Sequence, residues 1–235
     1  MKNKLEFLDK IKKKTLLTIK TIGLILLLLI GPSFIILLFG NNYNNFSTNN
    51  RVLISFIANL IILAILFILY KDTLIKDFKN FFNKKIGENI ETSFKYWFIG
   101  FIIMIGSNLL ISIITDGQIA SNEESVRSLI EIAPLYMIFN VSIYAPLTEE
   151  LIFRKSIKDI TNNKWLYIIL SGGIFGALHV ITSLTGLIDL IYLVPYCALG
   201  IAFASLYHKT NNIYSSISMH CMHNTIAIIL YLLVL

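Results

Sequence analysis

Three short clusters in the second half of this 235-residue chain carry side chains suited to moving protons. The first is Glu149-Glu150-Leu151-Ile152-Phe153-Arg154. Glu150 and Arg154 stand i, i+4, with the acid first, so on a helix they share a face and neutralise one another. Glu149 is turned about 100° away and has no such partner. A desolvated carboxylate without a partner is poised to act as a general base near neutral pH. The plainer reading is an interfacial helix end with an exposed acid pair. The second cluster is Phe175-Gly176-Ala177-Leu178-His179, preceded by Gly172-Gly173, where backbone can approach a neighbouring helix closely. A lone histidine there also reads as a packed residue bonded to its neighbours. The third is His220-Cys221-Met222-His223-Asn224. His220 and Asn224 share a face, and His223 lies one residue off it. Two histidines and an asparagine in one turn are costly to bury without a role. Each cluster holds a group able to transfer a proton, donate to an oxyanion or bind a metal.

The elements that position these clusters are membrane helices. The chain is 56% hydrophobic and only 14% charged, against roughly 25% charged in a soluble domain. Mean hydropathy is +0.73. This excludes an ordinary soluble enzyme or binding module. Disorder is excluded by 12% aromatic content and few glycines and prolines. A span needs about 20 mostly apolar residues. Seven segments qualify, at 16–39, 52–70, 96–114, 132–150, 165–181, 188–207 and 213–235. The first is too long for a signal-peptide core and lacks an Ala-x-Ala cleavage site, so it reads as a true span. The expected fold is an all-α polytopic bundle of about seven spans.

Charge sets the expected orientation. With the N-terminus inside, eighteen of the twenty basic residues fall on the inner side, and only Arg51 and Arg127 lie outside. The net charge of +6 is therefore read as a topology signal, and no nucleic-acid partner is expected. The loop Lys71–Lys95 reads either as a solvated linker or as a basic amphipathic stretch with Phe78, Phe81, Phe82 and Ile86 in the headgroups. Cys197 and Cys221 sit in apolar runs and read as small buried residues with no disulfide framework. A composition shift near residue 130 divides the chain into a three-span N-terminal region, 1–129, and a four-span core, 130–235, where ionisable residues enter the spans.

Glu-Glu-x-x-x-Arg, then Phe-x-x-x-His, then His-x-x-x-Asn, on successive apolar segments, resembles the CAAX-protease and bacteriocin-processing family of intramembrane proteases. The resemblance covers residues 130 to the end. Gly200, within Ala198–Ala204, resembles the small-residue helix the family has between its second and third motifs. The resemblance implies that Glu149 activates a water with help from His179, and that His220 and Asn224 stabilise the oxyanion. It gives Glu150 and Arg154 a largely structural role, with Phe175 supporting the site. His223 lies outside the family motif and is assigned to packing. Members are often labelled metalloproteases, and a metal-free glutamate mechanism is also argued for the family.

The chemistry is coherent with those roles. Peptide hydrolysis needs an activated nucleophile and a place for the developing negative charge. A metal version would use Glu149, His179 and His220 as ligands of zinc. Against it, no His-Glu-x-x-His pair is present, and the Asn224 amide is an unusual zinc ligand, so no cofactor is expected. A serine mechanism on Ser215, Ser216 or Ser218 lacks a Gly-x-Ser-x-Gly turn. Cys221 and His220, adjacent in sequence, do not face each other on a helix. The abundance of Lys, Asn and Ile points to a bacterial plasma membrane, where prenylated substrates are not expected. The resemblance implies bacteriocin or pheromone processing, or self-immunity, on a small membrane-associated peptide, with a peptide exporter as a possible partner. The rival readings are a non-enzymatic immunity or accessory membrane protein and a small proton-coupled transporter. The transporter reading lacks any repeat between halves.

Overall fold

The computed structural model describes residues 2–82 and 86–234. Lys84 and Lys85, and the side chains of Lys2, Lys4 and Ile86, lie outside the described residues. Every regular element among the described residues is helical. In chain order the α-helices are α1 (Lys2–Leu37), α2 (Thr48–Leu69), α3 (Lys71–Phe81), α4 (Ile86–Ile114), α5 (Ser121–Ile132), α6 (Pro134–Phe139), α7 (Ala145–Glu149), α8 (Ile157–Ile160), α9 (Lys164–Ile181), α10 (Leu193–Thr210) and α11 (Ile213–Val234). Three start on side-chain caps: Ser47 accepts the Asn50 amide before α2, Asn163 accepts the Leu166 amide before α9, and Asn212 accepts the Tyr214 amide before α11. Asn211, in the left-handed region at φ 50°, ends α10.

Six helices among the described residues are long and apolar enough to cross a membrane: Glu6–Leu37, Thr48–Leu69, Gly87–Ile114, Lys164–Ile181, Leu187–Thr210 and Ile213–Val234. They match six of the seven expected segments. The remaining one departs from expectation. Ala133, at φ −143° and ψ 65°, breaks the chain away from α5, and Pro134 opens a new helical rod. That rod runs through α6, a π segment at Asn140–Tyr144, α7, a second π segment at Glu150–Ser156, and α8. It therefore starts two residues later than expected and continues ten residues past Glu150. The charges that were expected to end the span are instead buried inside it. The rod lies at the centre of the bundle, with Leu151, Ile152, Phe153 and Ile157 in the apolar core.

Large apolar side chains such as Leu16, Ile68, Leu109 and Ile113 point outward on α1, α2 and α4. In lipid this costs nothing, which accounts for a hydrophobic share that no water-facing surface would tolerate. The tightest helix pair is α9 with α10. A Cβ at Gly172 would stand 2.6 Å from the Ile201 side chain, and one at Gly176 would stand 2.5 Å from Cys197 Sγ. Small residues here let two backbones touch, as membrane helices require when hydrophobicity alone does not hold them together. The basic loop folds as the amphipathic helix α3, with Phe78 and Phe82 exposed and in an aromatic cluster with Phe81 and Tyr214. The free cysteines Cys197 and Cys221 are half-buried.

Candidate active site

The rod presents the acid pair. Pro146 has no N–H and its ring crowds the carbonyl four residues back, so the helical ladder slips to the wider turn. The Ala145 amide then reaches back to Asn140 O. Val141 O is left without a backbone donor in either register, because residue 146 is proline. Asn224 of α11 supplies one: its Nδ2 donates to Val141 O at 2.8 Å. Asn140 is held in turn by Asn59 of α2, whose Nδ2 donates to Asn140 Oδ1 (3.0 Å) and Tyr136 Oη (3.1 Å).

Glu150 and Arg154 form the i, i+4 pair anticipated from their spacing, at 3.0 Å and both wholly buried. Arg154 Nη1 also donates to Ser171 O and Oγ on α9, and the guanidinium lies 4.8 Å from the Phe175 ring centre. The second carboxylate oxygen of Glu150 is taken by His220 Nδ1 at 3.0 Å. A carboxylate only accepts, so Nδ1 carries the proton and Nε2 is turned to the other side. There it stands 3.8 Å from Glu149 Oε2. Glu149 is 13% exposed, and its buried Oε2 has no hydrogen-bond partner among the described residues. The two neighbouring glutamates thus occupy opposite sides of one imidazole.

Phe175 joins this group to the second histidine. Its ring centre is 5.8 Å from His220 and 4.3 Å from His179. His179 Nδ1 bonds the Phe175 carbonyl at 2.9 Å, so Nδ1 bears the hydrogen and Nε2 keeps its lone pair. Tyr196 of α10 stacks on the other face of His179 at 5.0 Å and is itself held by Asn122 of α5 at 3.1 Å. His223 accepts a 3.4 Å bond from Trp97 of α4 and packs on Phe101.

The structure therefore brings Glu149, Glu150, Arg154, Phe175, His179 and His220 into one contiguous cluster. It sets Asn224 one helical turn farther, with one amide hydrogen on Val141. The His220–Glu150 bond is absent from the sequence reading, which paired His220 only with Asn224. Asn59, Trp97 and Tyr196 were missed as well; Asn59 alone carried a signal, as an amide in the middle of an apolar span. Zinc takes three or more donors at about 2.0–2.2 Å. Among the described residues no three His, Cys, Asp or Glu side chains converge closely enough to hold an ion. Glu149, His179 and His220 as placed do not fit that demand.

A family model described as type II CAAX prenyl endopeptidase Rce1-like matches residues 131–226, which include every residue of the cluster. The chain is 33% identical over 184 residues to the "Putative membrane peptidase YdiL" of Bacillus subtilis (strain 168), covering 76% of this chain and 70% of that protein. It is 25% identical over 134 residues to the UPF0177 protein YvdC of Lactococcus lactis subsp. lactis (strain IL1403), covering 56% of this chain and 49% of the relative. No solved structure gives a significant match. With its acid pair and histidines buried among apolar helices, and with relatives that cover most of its length, the chain belongs to the CAAX-protease and bacteriocin-processing family of intramembrane peptidases.

Proposed function

We propose that this multi-pass membrane protein is an endopeptidase that cleaves a small membrane-associated peptide or protein, with Glu149 as the general base. The observation that carries the proposal is the unpartnered Oε2 of Glu149, held beside His220 while Glu150 is consumed by Arg154 and His220. One carboxylate is structural and its neighbour is left with bonding capacity to spare. Glu149 takes a proton from water, and His179 orients that water through its free Nε2. The hydroxide adds to the peptide carbonyl carbon. The second Asn224 amide hydrogen donates to the resulting oxyanion, joined by His220 Nε2 when the ring takes a second proton and becomes an imidazolium beside Glu150 and Glu149. The proton held by Glu149 passes to the amide nitrogen as the C–N bond breaks, releasing an amine and a carboxylic acid and leaving Glu149 as it began.

The relatives come from bacteria, which supports a plasma-membrane location and a peptide substrate such as a bacteriocin or pheromone precursor. A peptide exporter is the natural partner of such processing. The test is Glu149→Gln in the intact protein, assayed on a membrane-associated peptide library with mass-spectrometric readout. Cleavage falls by at least 10² while protein level in the membrane is unchanged. Cleavage at the normal rate in Glu149→Gln overturns the assignment.

A further inference from the structure

We propose that a cavity on the face carrying the basic loops binds the phosphate of an anionic phospholipid headgroup. The cavity, about 400 Å³, lies outside the glutamate–histidine cluster, where α3, the end of the rod, the start of α9 and the end of α10 meet. Lys76, Lys155, Lys158 and Lys164 line it, with His208. Two aspartates line it as well. Asp159 pairs with Lys155, and Asp77 accepts the Ile213 amide at 2.9 Å. Lys158 bonds only neutral groups, Asn211 Oδ1 at 2.9 Å and Tyr207 O at 3.4 Å. Among the described residues Lys76, Lys158 and Lys164 have no salt-bridge partner. Four lysines against two aspartates leave a surplus of two positive charges around one polar cavity, a field suited to an anion.

The surroundings favour a lipid as its source. α3 lies along the rim with Ile75, Phe78 and Phe82 exposed, an apolar edge suited to acyl chains. Trp165 is 65% exposed at the start of α9, with the Lys164 ammonium 4.8 Å over its ring. Exposed tryptophan beside lysine at a helix end marks the headgroup level of a bilayer. Basic pockets between membrane helices at that level take anionic headgroups.

The full chain in mild detergent is titrated with short-chain phosphatidylglycerol, short-chain phosphatidylcholine, inorganic phosphate or an acidic hexapeptide, and the unfolding temperature is followed by circular dichroism. Phosphatidylglycerol raises it and phosphatidylcholine does not. Lys76→Gln and Lys164→Gln, both at exposed positions where folding is not at stake, each move the titration midpoint about 5-fold higher. Three results overturn the proposal: equal stabilisation by the two lipids, a midpoint unchanged in both variants, or inorganic phosphate or the acidic peptide stabilising as well as phosphatidylglycerol at equal concentration.

Discussion

Asn224 has two separable tasks, and Pro146 provides the means to separate them. The Asn224 amide satisfies Val141 O, a carbonyl that lost its backbone donor because residue 146 has no N–H. Asn224→Ala leaves that carbonyl unpaired in an apolar bundle, at about 1–2 kcal/mol. In a chain of this size that is a fall of roughly 2–8 °C in unfolding temperature. Pro146→Ala restores an N–H at 146, which can reach Val141 in the π register. In that background Asn224→Ala therefore loses at least half of its stability penalty. The double-mutant cycle, read by helical circular dichroism in mild detergent, gives a coupling of about 0.5–1 kcal/mol between residues 78 positions apart. Peptidase activity follows a different course. Loss of one oxyanion donor lowers kcat by about 10²–10³, and no backbone N–H at 146 replaces it, so activity stays low in the double variant. Equal stability penalties in both backgrounds would refute the account of the orphaned carbonyl. Recovery of activity along with stability would refute the oxyanion role.

The buried ion pair makes a second prediction. Arg154→Met strands the wholly buried Glu150 and destabilises by about 3–5 kcal/mol, while adding Glu150→Gln recovers part of that loss; simple additivity would contradict it. On the metal-free reading, prolonged treatment with a strong chelator leaves peptide cleavage unchanged. Loss of activity on chelation with recovery on adding zinc reverses that reading. Gly176→Ala places a Cβ 2.8 Å from Cys197 N on α10, which forces α9 and α10 apart at a cost of about 1–3 kcal/mol. Because Phe175 and His179 flank this contact, cleavage falls with stability, and Gly173→Ala, where nothing lies within 4 Å, serves as the unaffected comparison.

Hydropathy located α1, α2, α4, α9, α10 and α11 because each is a long apolar run with polar ends. It failed at the rod for a physical reason. The expected span stopped at Glu150 and left Arg154 in the following loop, whereas Glu150 and Arg154 are fully buried and bonded to His220 and Ser171 on other helices. A sequence shows the i, i+4 pair but not the remote partners that make its burial tolerable. The π segments were equally hidden, since Pro146 announces a disturbed ladder without saying which register replaces it. At the site, the six residues that meet were named from three motifs. The bond that orders them, Glu150 to His220, depends on how α11 leans on the rod, and no local spacing encodes that. Tyr196 and Trp97 escaped because an aromatic in an apolar span looks like any other core residue.

The link between Asp77 and Ile213 has a mechanical consequence. α3 turns Phe78 outward, while its buried carboxylate holds the first amide of α11, and Asn212 ties back to the Asp77 carbonyl at 2.8 Å. His220 is two turns along that same helix, about 10 Å from the tether. A tilt or lift of α3 strains this tether and is passed toward α11. A rotation of a few degrees is enough to move the imidazole relative to Glu149. On the proposed mechanism, this tether is the route by which a displacement of α3 would reach the gap between His220 and Glu149.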